Sequence, residues 1–139
     1  FIYIIYSYMD KTGNQINQRI DVSLVGKEFA NFYYTNLKDN IQHLLTSGIL
    51  KKHTRILYKN VKYKEDQLAQ LLLQMHNQLI FTIEDTSVMD SGGRRADILV
   101  QGTVFEKTKS QTLRFSQYFT IANNNDNWFL HNSLLSILE

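Results

Sequence analysis

Cysteine and proline are both missing from the 139 residues, and glycine occurs only six times. Without cysteine the chain can form neither a disulfide scaffold nor a thiolate metal site, and this composition fits a reducing compartment. Long apolar runs are missing too. The first stretch, "FIYIIYSYM", is too short to span a bilayer, and it lacks the basic start and the small-residue cleavage site of a signal peptide. We therefore expect no membrane partner.

The remaining composition is that of an ordinary globular domain. Hydrophobic residues make up 43% and charged residues 20% of the chain, and the formal net charge is only +2. The length suffices for one domain with a buried core. The densest basic cluster, "KKHTR" at 51–55, is shorter than a typical nucleic-acid patch, so we predict no direct contact with nucleic acid.

The chain divides into two segments of different character. Residues 1–20 are interpreted as an N-terminal extension, in which Met9 would make a natural first residue and the polar stretch 10–19 would be a connector. Residues 21–139 carry regular apolar periodicity and are interpreted as the domain itself.

Three helices are predicted in the first part of the domain. The first begins near Asp21 or Ser23, either of which could cap it, and places apolar residues at i, i+3 and i+4 steps as far as Leu37. The second covers about 39–47. The third, 64–76, is the clearest, because it has an acidic start and one leucine-rich stripe.

The second part of the domain is predicted to be a sheet. A short stretch with strand composition, 54–63, contains a turn at Lys59 and Asn60. Four long strands separated by turn-forming residues follow the third helix, at 78–90, 95–107, 112–123 and 128–138. This order predicts an α+β domain in which three helices pack on one face of a curved, mainly antiparallel sheet.

The outer face of this sheet is too apolar to remain in water. Alternation in the last strand brings Phe129 and Leu135 to one face, and alternation in the strand before it exposes Arg114 and Tyr118. Such a face usually packs against another sheet. We therefore predict a dimer interface made of Phe105, Arg114, Tyr118, Phe129 and Leu135.

Three stretches together resemble the nuclear transport factor 2-like superfamily. They are "EFANFYY" in the first helix, "RFSQYF" in a central strand and "WFLHN" in the last strand. The resemblance covers roughly residues 22–138 and preserves the order of elements. It implies a cone-shaped domain, and it leaves the function open because the superfamily includes enzymes, carriers and adaptors.

Three non-enzymatic branches are compatible with the resemblance. Carriers of GDP-bound Ran are homodimers that touch phenylalanine-glycine nucleoporins. The small subunit of the messenger RNA export receptor pairs with a matching domain of a larger subunit. Stress-granule proteins use such a domain to bind short Phe-containing peptides. The resemblance implies a protein-binding module of nucleocytoplasmic transport that is found in the nucleus, in the cytoplasm and at the nuclear pore. It also implies a homodimer, or a heterodimer with a similar domain. The alternative is a stress-granule-type domain.

Each branch lacks part of its motif in this sequence. Val22 occupies the position of the carriers' tryptophan at the start of the first helix. In the closing strand, Ser133 and Ser136 replace an Asp and an Arg. The acidic loop of the carriers aligns with "FEKTKSQ", where Lys107 and Lys109 replace acids. We therefore predict that GDP-bound Ran binds poorly, if at all.

The first helix has a second potential role, because "VGKEFANFYYTNL" (25–37) carries four aromatic residues. Most of them should fill the core. In the peptide-binding relatives, the edge that matches Val22, Val25 and Phe29 holds Phe side chains in a shallow slot. The resemblance thus implies a peptide-binding site at these residues, which phenylalanine-glycine nucleoporins would use; a purely structural role is the alternative.

Enzymes of the superfamily place an Asp, a Tyr or a His inside the cone, and the candidates here are Asp85, His131, His76 and Tyr58. An inward Asp85–His131 or Asp85–Tyr58 pair in an open cavity would favour a small-molecule enzyme or binder. A closed, aromatic-filled cone would favour an adaptor. We interpret Asp85 as peripheral, because no second acid or His–Asp pair shares its register.

Metal and cofactor motifs are not recognisable in the sequence. The four histidines lack the spacing of metal ligands, and "SGGRR" lacks the ending of a phosphate-binding loop. We predict no metal, no cofactor and no catalytic residue.

Overall fold

The computed structural model describes residues 5–9, 15–92, 94–125 and 127–139, with the segments before residue 21 described by their backbone alone. Three helices lie within this part of the chain: α1 (Val22–Asp39), α2 (Ile41–Thr46) and α3 (Asp66–Gln78). The strands are β1 (Ile5–Met9), β2 (Gln15–Ile20), β3 (Leu50–Tyr58), β4 (Val61–Lys64), β5 (Leu79–Gly92), β6 (Arg95–Glu106), β7 (Gln111–Asn124) and β8 (Asn127–Leu138).

Six of the strands form one sheet in the order β4-β3-β8-β7-β6-β5. All neighbours are antiparallel except β3 and β8, which run parallel. The predicted α+β class, with three helices on a curved and mainly antiparallel sheet, is confirmed. The stretch 54–63 forms the end of β3 and most of β4, and its turn has positive φ at Lys59 and Asn60, as a tight hairpin requires.

The first twenty residues contain a separate antiparallel pair of strands, β1 and β2. The sequence interpretation of 10–19 as a connector is therefore wrong for Gln15 onward, where the chain forms β2. Residues 1–4 and 10–14 lie outside the described part of the chain. The proposal that 1–20 is an extension of the domain stays a prediction.

Helix α1 begins where its sequence predicts. The carboxylate of Asp21 accepts a 3.1 Å hydrogen bond from the backbone N–H of Leu24 and so caps the helix. The helix packs on β5 and β6. Gly26 allows the close approach, because a Cβ at this position would lie 2.6 Å from Cγ1 of Val88 on β5.

Two bulges determine which side chains of the sheet face outward. One extra residue, Glu84, interrupts the pairing of β5 with β6. Gly102 lies opposite this bulge, and a Cβ there would collide with the carbonyl oxygen of Thr82. A second extra residue, His131, interrupts the pairing of β8 with β7. Because side chains alternate along a strand, each bulge reverses the faces of the residues that follow it.

Candidate interaction face of the sheet

The inside of the cone is filled by aromatic rings from α1 and the sheet. The ring centroid of Phe119 lies 4.9 Å from that of Tyr33 and 5.8 Å from that of Phe29. The rings of Phe81 and Phe115 pack edge-on with 4.9 Å between their centroids. These edge-to-face contacts are the favourable geometry for aromatic pairs.

A small polar network crosses this core. The hydroxyl of Tyr34 donates to Oε1 of Gln117 at 2.6 Å, and Nε2 of Gln117 donates to Oγ of Ser133 at 3.1 Å. Burial raises the pKa of Tyr33 to about 12, an effect that the Gln117 side chain only partly offsets. Burial, followed by the neighbouring Tyr33, raises the pKa of Tyr34 well above its ordinary value. Both phenols are therefore neutral near pH 7 and cannot act as bases.

The proposed acid–base residue Asp85 lies outside the cone. It is exposed and pairs with Gln101 on the outer face, because the bulge at Glu84 reverses the alternation of β5. This position agrees with its interpretation as a peripheral acid. The inward Asp85–His131 and Asp85–Tyr58 pairs that an enzyme of this kind would need are not formed, since Asp85 faces outward whereas Tyr58 is buried among core residues.

The two histidine candidates also lie apart from each other. His131 is the extra residue of the β8 bulge, and its ring centroid is 5.7 Å from that of His53. His76, on α3, lies with Nδ1 2.6 Å from the carbonyl oxygen of Leu37 and so connects two helices. Within the described ranges, no group of His, Asp and Glu residues could hold a metal ion. None of the described helices is long and apolar enough to cross a membrane.

The peptide slot expected along α1 is not open in this structure. Val25 and Phe29 are completely buried in the core, and only Val22 is partly exposed. A peptide therefore cannot contact Val25 or Phe29 without a rearrangement of the helix. The assignment of these two residues to a peptide site is corrected: both are core residues, because they lie on the face of α1 that packs on the sheet.

An open groove does exist on the other side of α1, next to the edge strand β5. Its volume is about 350 Å³, and its lining comprises Lys27, Ala30, Asn31, Tyr34, Thr35, Lys38, Asp39, Phe81, Ile83 and Thr86. Apolar side chains of Tyr34, Phe81 and Ile83 form one part of the lining, and lysines flank it. The sequence analysis did not identify this groove, although plain alternation already places Ile83 on the same face of β5 as Phe81.

The outer face of the sheet contains part of the predicted dimer interface. Phe105 and Tyr118 are exposed there, and Arg114 forms a 2.8 Å ion pair with Glu84. Leu135 is a correction: it is only 2% exposed and belongs to the core, because the bulge at His131 turns it inward.

Phe129 is a partial correction. It follows Trp128 and precedes Leu130, both buried in the core, so it faces the outer side. It is nevertheless only 8% exposed, and its ring packs edge-on against His53 at 5.2 Å. Its surface is already covered within the protein.

Three further exposed side chains join Tyr118 in a continuous line across the sheet. Leu57 pairs with Leu134, Leu134 with Tyr118, and Tyr118 with Leu99 on four adjacent strands. Each is between 36% and 44% exposed. We call these four residues the apolar row. The sequence analysis missed three of them. It missed Leu134 because the bulge reverses the faces of β8, and Leu57 because its strand was predicted only as part of a short hairpin. It missed Leu99 because only the last two strands were compared for their outer faces.

The β3 end of the apolar row is basic. A cavity of about 370 Å³ is lined there by His53, Arg55, Lys62, His131 and part of the row. Burial lowers the pKa of His131, and the charges of Arg95 and His53 lower it further. Both effects favour the neutral imidazole.

The β6 end of the row is acidic. Asp97 accepts a 2.9 Å hydrogen bond from Oγ1 of Thr120 and another from the hydroxyl of Ser91. Partial burial raises the pKa of Asp97, but the hydrogen bonds from Ser91, Tyr118 and Thr120, with the charge of Arg95, outweigh burial and lower it overall. Asp97 is therefore a fixed negative charge, held in place by its own neighbours.

Comparison with known proteins identifies the family. The family model for the nuclear transport factor 2 (NTF2) domain matches residues 25–137. The chain belongs to this family. No curated protein sequence matches this NTF2-family chain at a significant level.

Several solved structures share its fold. Nuclear transport factor 2 from Cryptosporidium parvum has a TM-score of 0.71 and 19% identity, covering 83% of this chain and 93% of that protein. The yeast UBP3-associated protein BRE5 has a TM-score of 0.67 and 13% identity, covering 81% and 93%. A ketosteroid isomerase-like protein from Erwinia carotovora atroseptica has a TM-score of 0.68 and 14% identity, covering 86% and 98%. At these identities the similarity establishes the fold, and the function has to come from the site.

Proposed function

We propose that this NTF2-family chain is a non-enzymatic protein-binding module of nucleocytoplasmic transport or messenger RNA export, whose outer sheet face binds a second NTF2-like domain. The apolar row carries the proposal. Four large side chains at adjacent positions on a sheet face form a contiguous apolar patch, and such patches mark interaction sites. This role places the chain in the nucleus and the cytoplasm and at the nuclear pore.

The filled cone supports the non-enzymatic part of the proposal. A small-molecule enzyme needs a pocket with converging polar groups. Here the rings of Tyr33, Phe115 and Phe119 pack together inside the cone. Asp85 and His131 lie on the outer side of the sheet, and His76 lies between α1 and α3. The similarity to the ketosteroid isomerase-like protein is therefore attributed to the fold alone.

A protein partner also agrees with one of the relatives. BRE5 is described as a UBP3-associated protein, so a chain of this fold associates there with another protein. In this chain, pairing of two sheet faces would bury the apolar row and would leave α1 and its groove accessible.

Light scattering at micromolar concentration tests the interface. We expect the wild type to be a dimer and Leu134→Glu to be a monomer, because the new carboxylate would be buried without a partner. Ile83→Glu is the matched control, since Ile83 is similarly exposed but lies in the groove beside α1. A monomeric wild type, or equal behaviour of the two variants, would refute this part of the proposal.

The groove between α1 and β5 supports a second binding role, for a short Phe-containing segment such as a phenylalanine-glycine nucleoporin repeat. A phenylalanine ring would pack against Tyr34, Phe81 and Ile83. A single apolar anchor of this kind gives affinities in the micromolar range. Titration of a phenylalanine-glycine peptide should show binding to wild type and to Leu134→Glu, and none to Ile83→Glu. Binding that survives Ile83→Glu would exclude the groove.

A further inference from the structure

Strand β5 forms one edge of the six-stranded sheet, because within the described part of the chain it pairs only with β6. In an antiparallel ladder, every second residue directs its backbone N–H and C=O to the paired strand, and the residues between direct theirs away from it. The N–H of Leu79 bonds back to α3. Beyond that residue, no backbone hydrogen bond of the described segments reaches β5 except from β6. Unpaired backbone groups of this kind are the template for an added strand.

The two edges of the sheet differ in their protection against an added strand. The other edge strand, β4, has only four residues, and two of them are Lys62 and Lys64. Short edges that carry lysine resist further pairing. Strand β5 has 14 residues, and its first five, "LIFTI" (79–83), carry no charge and favour extended structure. The bulge at Glu84 and the acids after it protect the rest of β5, so 79–83 is the open part of the edge.

The groove beside α1 runs along this open edge. Gly26 of α1 lies against Val88, and the rings of Tyr34 and Phe81 have their centroids 5.3 Å apart, so α1 and β5 run in opposite directions. The side chains of Phe81 and Ile83 line the groove. Directly paired residues of neighbouring strands share a face of the sheet. Every second side chain of a strand added at this edge would therefore lie in the groove.

Helix α1 lines the groove with a stripe of hydrogen-bond donors, which are Lys27, Asn31, Thr35 and Lys38. Their spacing of three or four residues places them on one face of the helix. From Lys27 to Lys38 the stripe is about 16 Å long at the rise of an α-helix, and a strand covers about 13 Å from one residue to the fourth after it. The groove thus fits about five extended residues, with a lysine at each end. Asp39 also lines the Lys38 end, so the Lys27 end is the more positive.

We propose that an extended segment of a partner protein adds to the open edge of β5 as an extra strand, with an aromatic side chain in the groove and an acidic residue two positions away on each side. The ring packs on Phe81 and Ile83, and the acids pair with Lys27 and Lys38. The intervening side chains lie on the outer side of the sheet, away from α1. The inference rests on the proposed binding role of the groove, and it adds the backbone pairing and the charge pattern that select the segment.

The backbone and the side chains of such a segment contribute differently. Main-chain hydrogen bonds to a sheet edge supply affinity for any extended segment, whereas pockets for alternate side chains supply the selectivity. Ion pairs between exposed side chains add little affinity each. The aromatic ring is therefore the main anchor, and the two lysines determine which flanking residues are accepted.

Backbone methylation of a peptide tests the strand pairing. The probe is the heptapeptide Thr-Asp-Thr-Phe-Thr-Asp-Thr, blocked at both ends, whose Asp and Phe side chains share one face of a strand. It should bind the full chain with micromolar affinity in calorimetry. Two further peptides carry an N-methyl group on the Phe or on the Thr after it. One should bind more than about tenfold more weakly and the other like the parent, because adjacent N–H groups point to opposite sides of a strand. Equal binding of these two peptides would overturn strand addition.

A charge exchange tests the acidic flanks. The double variant Lys27→Glu with Lys38→Glu should bind the probe more than about tenfold more weakly, and it should bind a peptide with Lys in place of both Asp residues. The peptide Asp-Thr-Thr-Phe-Thr-Thr-Asp is the matched control, because it has the same composition but places its acids on the face opposite the Phe. Equal binding of the probe and this control to the wild type would overturn the alternating pattern.

Hydrogen exchange of the full chain, followed by NMR, identifies the occupant of the edge. Alternate amides within 80–83 should exchange more slowly when the probe is bound. Protection that instead rises with the concentration of the free protein would show that a second copy pairs with this edge, and would overturn the proposal. Loss of probe binding with retained binding of a phenylalanine-glycine peptide refutes this inference alone. Binding of neither peptide refutes the proposed role of the groove as well.

Discussion

The hydroxyl of Tyr34 on α1 donates a 2.6 Å hydrogen bond to Oε1 of Gln117 on β7, 83 residues later in the chain. Tyr33, its neighbour in sequence, is completely buried; the Gln117 side chain lowers its pKa, but its hydroxyl makes no hydrogen bond of normal geometry within the described part of the protein. The two adjacent tyrosines therefore form a natural pair of variant and control for the polar network of the core.

Tyr34→Phe should destabilise the protein by about 1–3 kcal/mol, because it leaves the buried oxygen of Gln117 without its donor. Tyr33→Phe should cost much less and could stabilise, since it removes a buried hydroxyl with no hydrogen bond. Urea denaturation of both variants, at equal protein concentration, measures the difference. Equal losses for the two variants would show that the network contributes nothing beyond packing.

Acid should weaken the fold through His131. Burial, Arg95 and His53 lower the pKa of His131 in the folded state, so the unfolded chain binds more protons once the pH falls below about 6.5, its ordinary value. The stability that neutral His131 provides is present above that pH and is lost as the pH falls through the lowered value.

His131→Gln should therefore reduce the loss of stability between about pH 7.5 and about pH 5.5. His43→Gln, on α2, is the control for replacing an imidazole that does not belong to the sheet. Urea midpoints at both pH values measure the effect. An unchanged slope in His131→Gln would assign the acid sensitivity to other groups.

Helix α1 can lie close to β5 because Gly26 has no side chain. Gly26→Ala should destabilise by about 1 kcal/mol, because overpacking against Val88 outweighs the helix propensity that alanine adds. In a Val88→Ala background the clash disappears, and the same substitution should be neutral or stabilising. Thermal unfolding of the four proteins completes the double-mutant cycle. Additive effects would contradict the close contact.

GDP-bound Ran should not bind at micromolar concentration. The loop that aligns with the acidic loop of Ran carriers contains Lys107 and Lys109, and its one acid, Glu106, is buried and lies 3.8 Å from Nζ of Lys109. A basic partner would thus meet like charge. Calorimetry at low and moderate salt measures the association. Micromolar binding that weakens with salt would assign the chain to the carrier branch.

The sequence predicted most of the architecture because its periodic segments are long. The helix from Val22 and the four long strands each contain several repeats of their period, so the helix or strand assignment is well determined. The turn at Lys59 was also correctly predicted, and Asp21 was one of the two predicted cap candidates, since both features depend on residues next to one another in the chain.

The candidate site was predicted less well, because it depends on single residues whose effect is not local. The bulge at His131 leaves no sequence pattern of its own, yet it moves Leu135 into the core and Leu134 onto the surface. Likewise, the burial of Phe29 depends on how closely α1 approaches the sheet. The alignment to peptide-binding relatives predicted where a slot would lie, but it could not predict the distance between α1 and the sheet.

Strand β8 contains one more residue than the paired segment of β7, the bulge residue His131, and this extra residue has an evolutionary consequence. Moving the surplus residue along the strand would exchange the inward and outward leucines without changing the amino-acid composition. A single insertion paired with a single deletion could thus present Leu135 in place of Leu134 to the surroundings. Two descendants of one gene could in this way come to recognise different partners while keeping the same helices, the same strand order and nearly the same sequence.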